Sequence, residues 1–393
     1  MATLDVVRII FSSLDAFGHF YPLLPLAKAA REAGHEVAFA TGAQFHPTLT
    51  ELGIEPLTAG KSMREVVAEA SGDPDHDPRE TRDNATPEEL EQLISRAFGR
   101  VLPRVWVEHL TPILAEREPD LVVQEVGAAG AAFAAMLAGI PVIGHGFGRV
   151  STDDSTARAI SREQHAFARE QGLELPDDFA FGLPFVDIAP RSLQDKTFLA
   201  TANRIELRPV PFAKPGPLPA LARADRPRPL VYLTMGTAFG VAELLRQAID
   251  GLAPLDADVL VAAGPTIELD ALGELPPNVV VESWVPQADL LPFTDLVVHH
   301  GGSGTTLGAL AAGVPQLVLP MGADQFTNAA AVVEAGAGAQ LLPGQLGGVN
   351  EKARALLSDV DVRAAARAFA EEIAAMPSPA EVARRLPEFV KPG

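Results

Sequence analysis

The sequence predicts an α/β protein of two facing Rossmann-like domains, and three observations carry that prediction. At 393 residues the chain exceeds one ordinary hydrophobic core. Short apolar runs of strand length alternate with helical stretches, the rhythm of parallel βαβ units. A proline-dense segment, "RPVPFAKPGPLPALARADRPRP" at 208–229, splits the chain into halves of similar size.

The opening reads strand, loop, helix, strand: "VVRIIFSS", then "PLLPLAKAAREAG" closed by Gly34, then "HEVAFAT". Further strands are expected in "PDLVVQEV", "AGIPVIGHG", "RPLVYLTMGT", "ADVLVAAG", "NVVVES", "TDLVVHHGG" and "VPQLVLPMG". "GAAFAAMLA", "VAELLRQAIDGL" and "TLGALAAG" supply helices between them. Residues 61–118 and 149–195 fit this rhythm poorly. Within the first of these, "SGDPDHDPRETRDN" reads as an exposed acidic loop leading into a helix start of capping-box type at Thr86, Pro87 and Glu89. Ser378 and Glu381 repeat that pattern near the end. The domains are therefore drawn as 1–208 and 230–376, joined by a linker at 209–229, with a ligand cleft expected at the carboxyl ends of the strands.

Composition narrows the function. Hydrophobic residues make up 47% and charged residues 21%, a globular profile. The formal net charge of −20 disfavours nucleic acid and anionic membranes as partners, so an anionic ligand must be held by local groups. With no cysteine, disulfides and thiolate metal sites are excluded. No secretory signal and no apolar run of membrane-spanning length is seen, and a cytoplasmic location is expected.

The chemistry concentrates at 283–329, "SWVPQADLLPFTDLVVHHGGSGTTLGALAAGVPQLVLPMGADQFTNA". A strand ends in His299 and His300, and "GGSGTT" then opens a helix. Unpaired backbone N–H groups at such a turn face an anion. Ser303, Thr305 and Thr306 add hydroxyls, and His300 can donate to a phosphate oxygen. No Lys follows the glycines, and the spacing is not the dinucleotide fingerprint. A turn whose glycines serve packing alone is the competing reading. The flanks favour a ligand: Trp284 could stack on a base, and Asp324 with Gln325 suits sugar hydroxyls.

With these residues in place, the chain resembles the GT-B, family 1 nucleotide-sugar glycosyltransferases, through Trp284–Gln287, His299–Thr306, "GVP" and Asp324–Gln325. It is most similar to the natural-product branch, calicheamicin-pathway enzymes in particular. The resemblance implies that Trp284, Val285 and Gln287 hold the nucleoside, that His300, Gly302, Ser303, Gly304, Thr305 and Thr237 hold the diphosphate, and that Asp324 and Gln325 face the sugar. A C-terminal helix at about 377–393 is expected to return to the first domain. Many relatives carry Glu where this chain has Gly308, there binding ribose hydroxyls. Its loss costs less with a deoxyribose, which favours a TDP-sugar over a UDP-sugar, although Gly308 could equally serve helix packing.

The same resemblance gives His19, in the pattern Gly18-His19-x-x-Pro22, the role of general base, and Glu125 the role of orienting it, with Gln124 as fallback. An imidazole titrating near pH 6.5 can take a proton from an acceptor hydroxyl at neutral pH. Phe20 and His145 are candidates to line the acceptor pocket. The expected activity is inverting transfer of a sugar to a small hydrophobic natural product, without cofactor or metal. "DPDHDP" at 73–78 reads as a solvated loop. A nucleotide-sugar epimerase and a catalytically silent binding protein are the competing classes, and a homodimer is possible.

Overall fold

The computed structural model describes residues 6–73, 85–152, 155–177, 179–212, 216–236, 242–264 and 267–390. The chain forms two compact units. One comprises Met1–Ile188, Gln194–Leu207 and Pro377–Gly393; the other comprises Ala189–Leu193 and Arg208–Met376.

The first unit is built on strands β1 (Arg8–Ser12), β2 (Glu36–Thr41), β3 (Glu55–Thr58), β4 (Leu121–Glu125), β5 (Val142–His145), β6 (Phe185–Asp187) and β7 (Arg204–Glu206). They lie parallel in the order β3-β2-β1-β4-β5-β6-β7. Strand β4 is buried throughout, which explains why "LVV" reads as an apolar run rather than an alternation. The order reverses between β1 and β4, so the loops leaving their carboxyl ends are neighbours. Register pairs Ser12 with Gln124 and Glu125 with His145.

Helix Ala129–Leu137 packs against helix Leu102–Arg117. Gly130 makes that approach possible, because a Cβ there would overlap the Pro103 backbone. The irregular stretch 61–118 resolves into helices Met63–Ser71, Pro87–Arg96 and Leu102–Arg117. The expected capping boxes are present at Thr86/Glu89 and Ser378/Glu381, and a third, unanticipated one joins Ser62 to Glu65. "DPDHDP" lies, from Pro74 on, outside the described residues. Helix Pro379–Ala383 packs on helix Leu24–Glu32, and His35 Nε2 sits 3.3 Å from the Ala383 carbonyl oxygen.

The second unit carries β8 (Leu230–Thr234), β9 (Asp258–Ala262), β10 (Val279–Glu282), β11 (Leu296–His299), β12 (Gln316–Val318) and β13 (Gly338–Gln340), parallel in the order β10-β9-β8-β11-β12-β13. Its switch point falls between β8 and β11. The described part of the proline-rich segment forms neither helix nor strand, and its Leu221 and Ala222 pack against Leu230, Tyr232 and Val285. Among the described residues, no helix is long and apolar enough to cross a membrane.

Candidate active site

In the first unit, the turn after β1 leads into helix Phe17–Phe20, which carries His19. The turn after β4 begins at Glu125, which is fully buried and caps the short helical turn Val126–Ala128. Glu125 Oε1 accepts the Gly127 N–H at 2.7 Å and lies 3.0 Å from His19 Nδ1. Gly127 allows the chain to wrap this closely, since a Cβ there would come 2.7 Å from Leu14 Cδ1 and 3.0 Å from Glu125 Oε2. A carboxylate at Nδ1 favours the tautomer protonated there, which leaves Nε2 its lone pair. The His19 side chain is 23% exposed. Phe147 lies beside the imidazole, ring centroids 4.5 Å apart. Gln124 follows the opposite face of β4, as strand alternation requires, and cannot substitute for Glu125.

Two expected acceptor contacts are corrected. Phe20 is fully buried, stacked on Phe45 at 4.1 Å and edge-on to Phe39, so it belongs to the core and not to a pocket wall. His145 is also fully buried; its Nδ1 lies 2.6 Å from the Gly146 carbonyl oxygen. Burial pushes its pKa down to about 4, against the Gly146 hydrogen bond, and keeps the ring neutral. Phe147, two residues further, is the one at the histidine.

In the second unit, β11 ends at His299, and helix Ser303–Ala311 starts after Gly302. No side chain caps that helix. The first intrahelical bond is donated by the Thr306 N–H to the Gly302 carbonyl, so the N–H groups of Ser303, Gly304 and Thr305 point out of the helix end. A Cβ at Gly304 would meet open space, whereas one at Gly302 would come 2.5 Å from His300 Nε2. Burial lowers the His300 pKa to about 4, opposed by Asp324 and by the Thr234 backbone, so this ring is neutral at physiological pH.

The hydroxyls and carboxylate near this turn are already engaged with each other. Ser303 Oγ donates to Asp324 Oδ2 at 2.7 Å, and Asn328 Nδ2 donates to the same oxygen at 2.9 Å. Asn328 Nδ2 also reaches the Gly301 carbonyl at 2.9 Å and Ser303 Oγ at 3.1 Å. Ser303 thus offers an anion its N–H rather than its hydroxyl. Gln325 is 1% exposed, and its Oε1 accepts the N–H groups of Met321 (2.8 Å) and Gly322 (3.1 Å). Its amide oxygen holds the turn, and the side chain is buried rather than open. Ala323, just before Asp324, has a φ of 52°, a strained value for a residue with a Cβ.

Trp284 is 49% exposed in the loop after β10. One edge of its indole lies against Gly216, where a Cβ would come 2.8 Å from Cζ3. Val285 is turned into the core beside Leu290 and Leu291, which leaves only its backbone for a ligand. Gln287 Oε1 accepts from Thr305 Oγ1 at 3.3 Å and from the buried Tyr232 hydroxyl at 3.4 Å. Thr237 lies outside the described residues. Asn328, Tyr232 and Phe147 were not anticipated. Asn328 follows Asp324 by four residues, one helical turn, and that spacing is the signal that could have revealed it. Among the described residues, no three His, Asp or Glu side chains converge to hold a metal ion.

Comparison with known proteins decides the family. Residues 28–236 match the N-terminal domain, and residues 246–389 the C-terminal domain, of the erythromycin biosynthesis protein CIII-like family. The chain belongs to this family of glycosyltransferases. L-demethylnoviosyl transferase of Streptomyces niveus is 32% identical over 97% of both chains. The structure of the Streptomyces sp. SF2575 glycosyltransferase SsfS6, complexed with thymidine diphosphate, superposes with a TM-score of 0.79 at 29% identity, covering 97% of this chain and 99% of that one. The calicheamicin glycosyltransferase CalG4 shares the fold, with a TM-score of 0.78 at 20% identity over 98% of each chain. The two parallel-sheet units are those of the GT-B architecture. In this glycosyltransferase the Gly308 position is packed: a Cβ would lie 3.1 Å from Leu291 Cδ1, 3.6 Å from Gln287 Nε2 and 3.7 Å from Pro211 Cγ. The glycine therefore serves helix packing, which weakens the argument for deoxyribose drawn from it.

Proposed function

We propose that this glycosyltransferase moves a sugar from a TDP-sugar to a hydroxyl of a small, largely apolar natural product with inversion, His19 acting as general base. The observation that carries the reading is the partly exposed imidazole 3.0 Å from a fully buried carboxylate. Glu125 holds the His19 proton at Nδ1 and stabilises the imidazolium once Nε2 has taken the acceptor proton. The acceptor oxygen attacks the anomeric carbon while the bond to the diphosphate breaks. Charge on the departing diphosphate is met by the N–H groups of Ser303, Gly304 and Thr305, with a neutral N–H from His300. This reading routes no step through a metal, because fixed donors supply the stabilisation. Trp284 stacks on the base, and Asp324 meets the sugar hydroxyls through Oδ1. The thymidine diphosphate in the SsfS6 structure supports a TDP donor, as the names of natural-product transferases among the relatives support the acceptor class.

Titration with TDP and UDP without divalent metal, followed by turnover with TDP-sugars and aglycones, tests the donor side. The anomeric configuration of the product, read by proton coupling constants, tests inversion. Retention of configuration would falsify the single-displacement mechanism. An epimerase would instead convert the free TDP-sugar in the absence of any acceptor.

A further inference from the structure

We propose that His299, held by Gln316, is a positioning residue that sets the Gly301–Gly302 turn for the diphosphate; this rests on the donor-site reading above. The fully buried His299 receives the Gly301 N–H at its Nδ1, 3.1 Å away. That nitrogen must therefore carry the lone pair, and the proton sits on Nε2. Nε2 in turn lies 2.8 Å from Oε1 of Gln316, itself fully buried on the neighbouring β12. A reversed amide would present NH2 to Nε2, and both ring nitrogens would then have to accept, which neither neutral imidazole nor imidazolium allows. The hydrogen bonds thus fix both the tautomer and the amide orientation. Burial and the neighbouring His300 push the His299 pKa down to about 3, against the Gln316 hydrogen bond, so the ring stays neutral.

The other backbone group of Gly301, its carbonyl, is taken by Asn328 Nδ2 at 2.9 Å. Both polar backbone groups of one glycine are therefore clamped by buried side chains from different elements. Gly301 has a φ of +94°, and a Cβ there would come 2.8 Å from Val318 Cγ1. Glycine is required at this point, yet it is the residue with the most freedom to lose. Donors aimed at developing charge are effective only if fixed beforehand. His299 supplies that fixation through the Gly301 N–H.

The test is calorimetric titration of wild type, His299→Leu and His299→Asn with thymidine diphosphate and, separately, with thymidine. His299→Leu should lose roughly five- to tenfold in thymidine diphosphate affinity, as expected for one hydrogen bond, with thymidine affinity unchanged. His299→Asn, whose amide oxygen falls near the place of Nδ1, should restore most of it. Equal losses for both probes, no loss, or no recovery with Asn would each overturn the proposal. Should His299→Leu fail to fold, nitrogen-15 NMR of the wild-type protein still decides: an Nε2–H tautomer between pH 6 and 8 supports it, and an Nδ1–H tautomer ends it. Wild type that binds neither probe would sink the donor-site reading, while the tautomer would still report on His299.

Discussion

The turn after β4 in the first unit and the turn after β11 in the second use one device for opposite ends. Each follows a central strand at a switch point and opens a helical turn whose first N–H groups lack backbone partners. After β4 the protein fills that anion-binding position with its own carboxylate: Glu125 caps the turn and takes the Gly127 N–H. After β11 the helix end is left uncapped. A filled position sets a carboxylate in the interior, 3.0 Å from His19 Nδ1. An open one receives charge from outside. Under the proposed function, the same backbone geometry serves a base in one unit and a leaving-group cradle in the other.

The sharpest way to break that comparison is His19→Ala. It should lower kcat by about 10²- to 10⁴-fold, the usual worth of a positioned general base, while thymidine diphosphate affinity stays unchanged. Turnover at wild-type rate would remove the base from the mechanism. Glu125→Gln should lower kcat less steeply and leave donor affinity alone; matching losses in both would mean that the carboxylate serves folding only.

Acid acts on the histidines that end β5 and β11 and on the one that follows β11. His145, His299 and His300 have folded pKa values of about 4, 3 and 4, below the unfolded 6.5. Between those values the unfolded chain binds more protons, so their contribution is fully present above pH 6.5 and is lost as pH falls toward 4. Together they should lower stability as pH falls from 7 to 5, and His145→Gln should flatten the fall in urea midpoint over that range. Nitrogen-15 NMR that found these rings protonated in the folded protein at pH 6 would refute the assignment. Trp284→Ala should cost about 1–3 kcal/mol of nucleotide affinity, the range for stacking on a base, without altering the pH dependence of kcat. Unchanged nucleotide binding would return the indole to a packing role against Gly216. The smallest effect lies far from either turn: Thr86→Ala removes a helix cap and should cost about 1 kcal/mol of stability alone.

The central strands were readable because burial on both faces makes them continuous apolar runs. β3, β6, β7 and β13 were not: each has three or four residues, and "EPLT", "RIE" and "GAQ" carry proline, charge or glycine at sheet edges. The site divides in the same manner. His19, Glu125 and the glycine turn are encoded by short motifs, and the fold brings the first two to 3.0 Å across 106 residues. Phe20 and His145 were misjudged because nearness to a motif says nothing about which side of the chain faces the core. For Ser303 and Gln325, the motif names donors and acceptors without naming the partners that engage them. For Ser303 that partner is Asp324, 21 residues away.

The segment from Pro377 onward belongs to the first unit, although every residue of the second precedes it. A ribosome therefore delivers the last piece of the first unit only after the whole second unit has been made. Until then helix Leu24–Glu32 has no partner for the face covered by Pro379–Ala383, and the His35 ring lacks its neighbour at the Ala383 carbonyl. The order of synthesis and the order of completion run opposite ways, so a chain cut short before Pro377 would carry a finished second unit and an unfinished first.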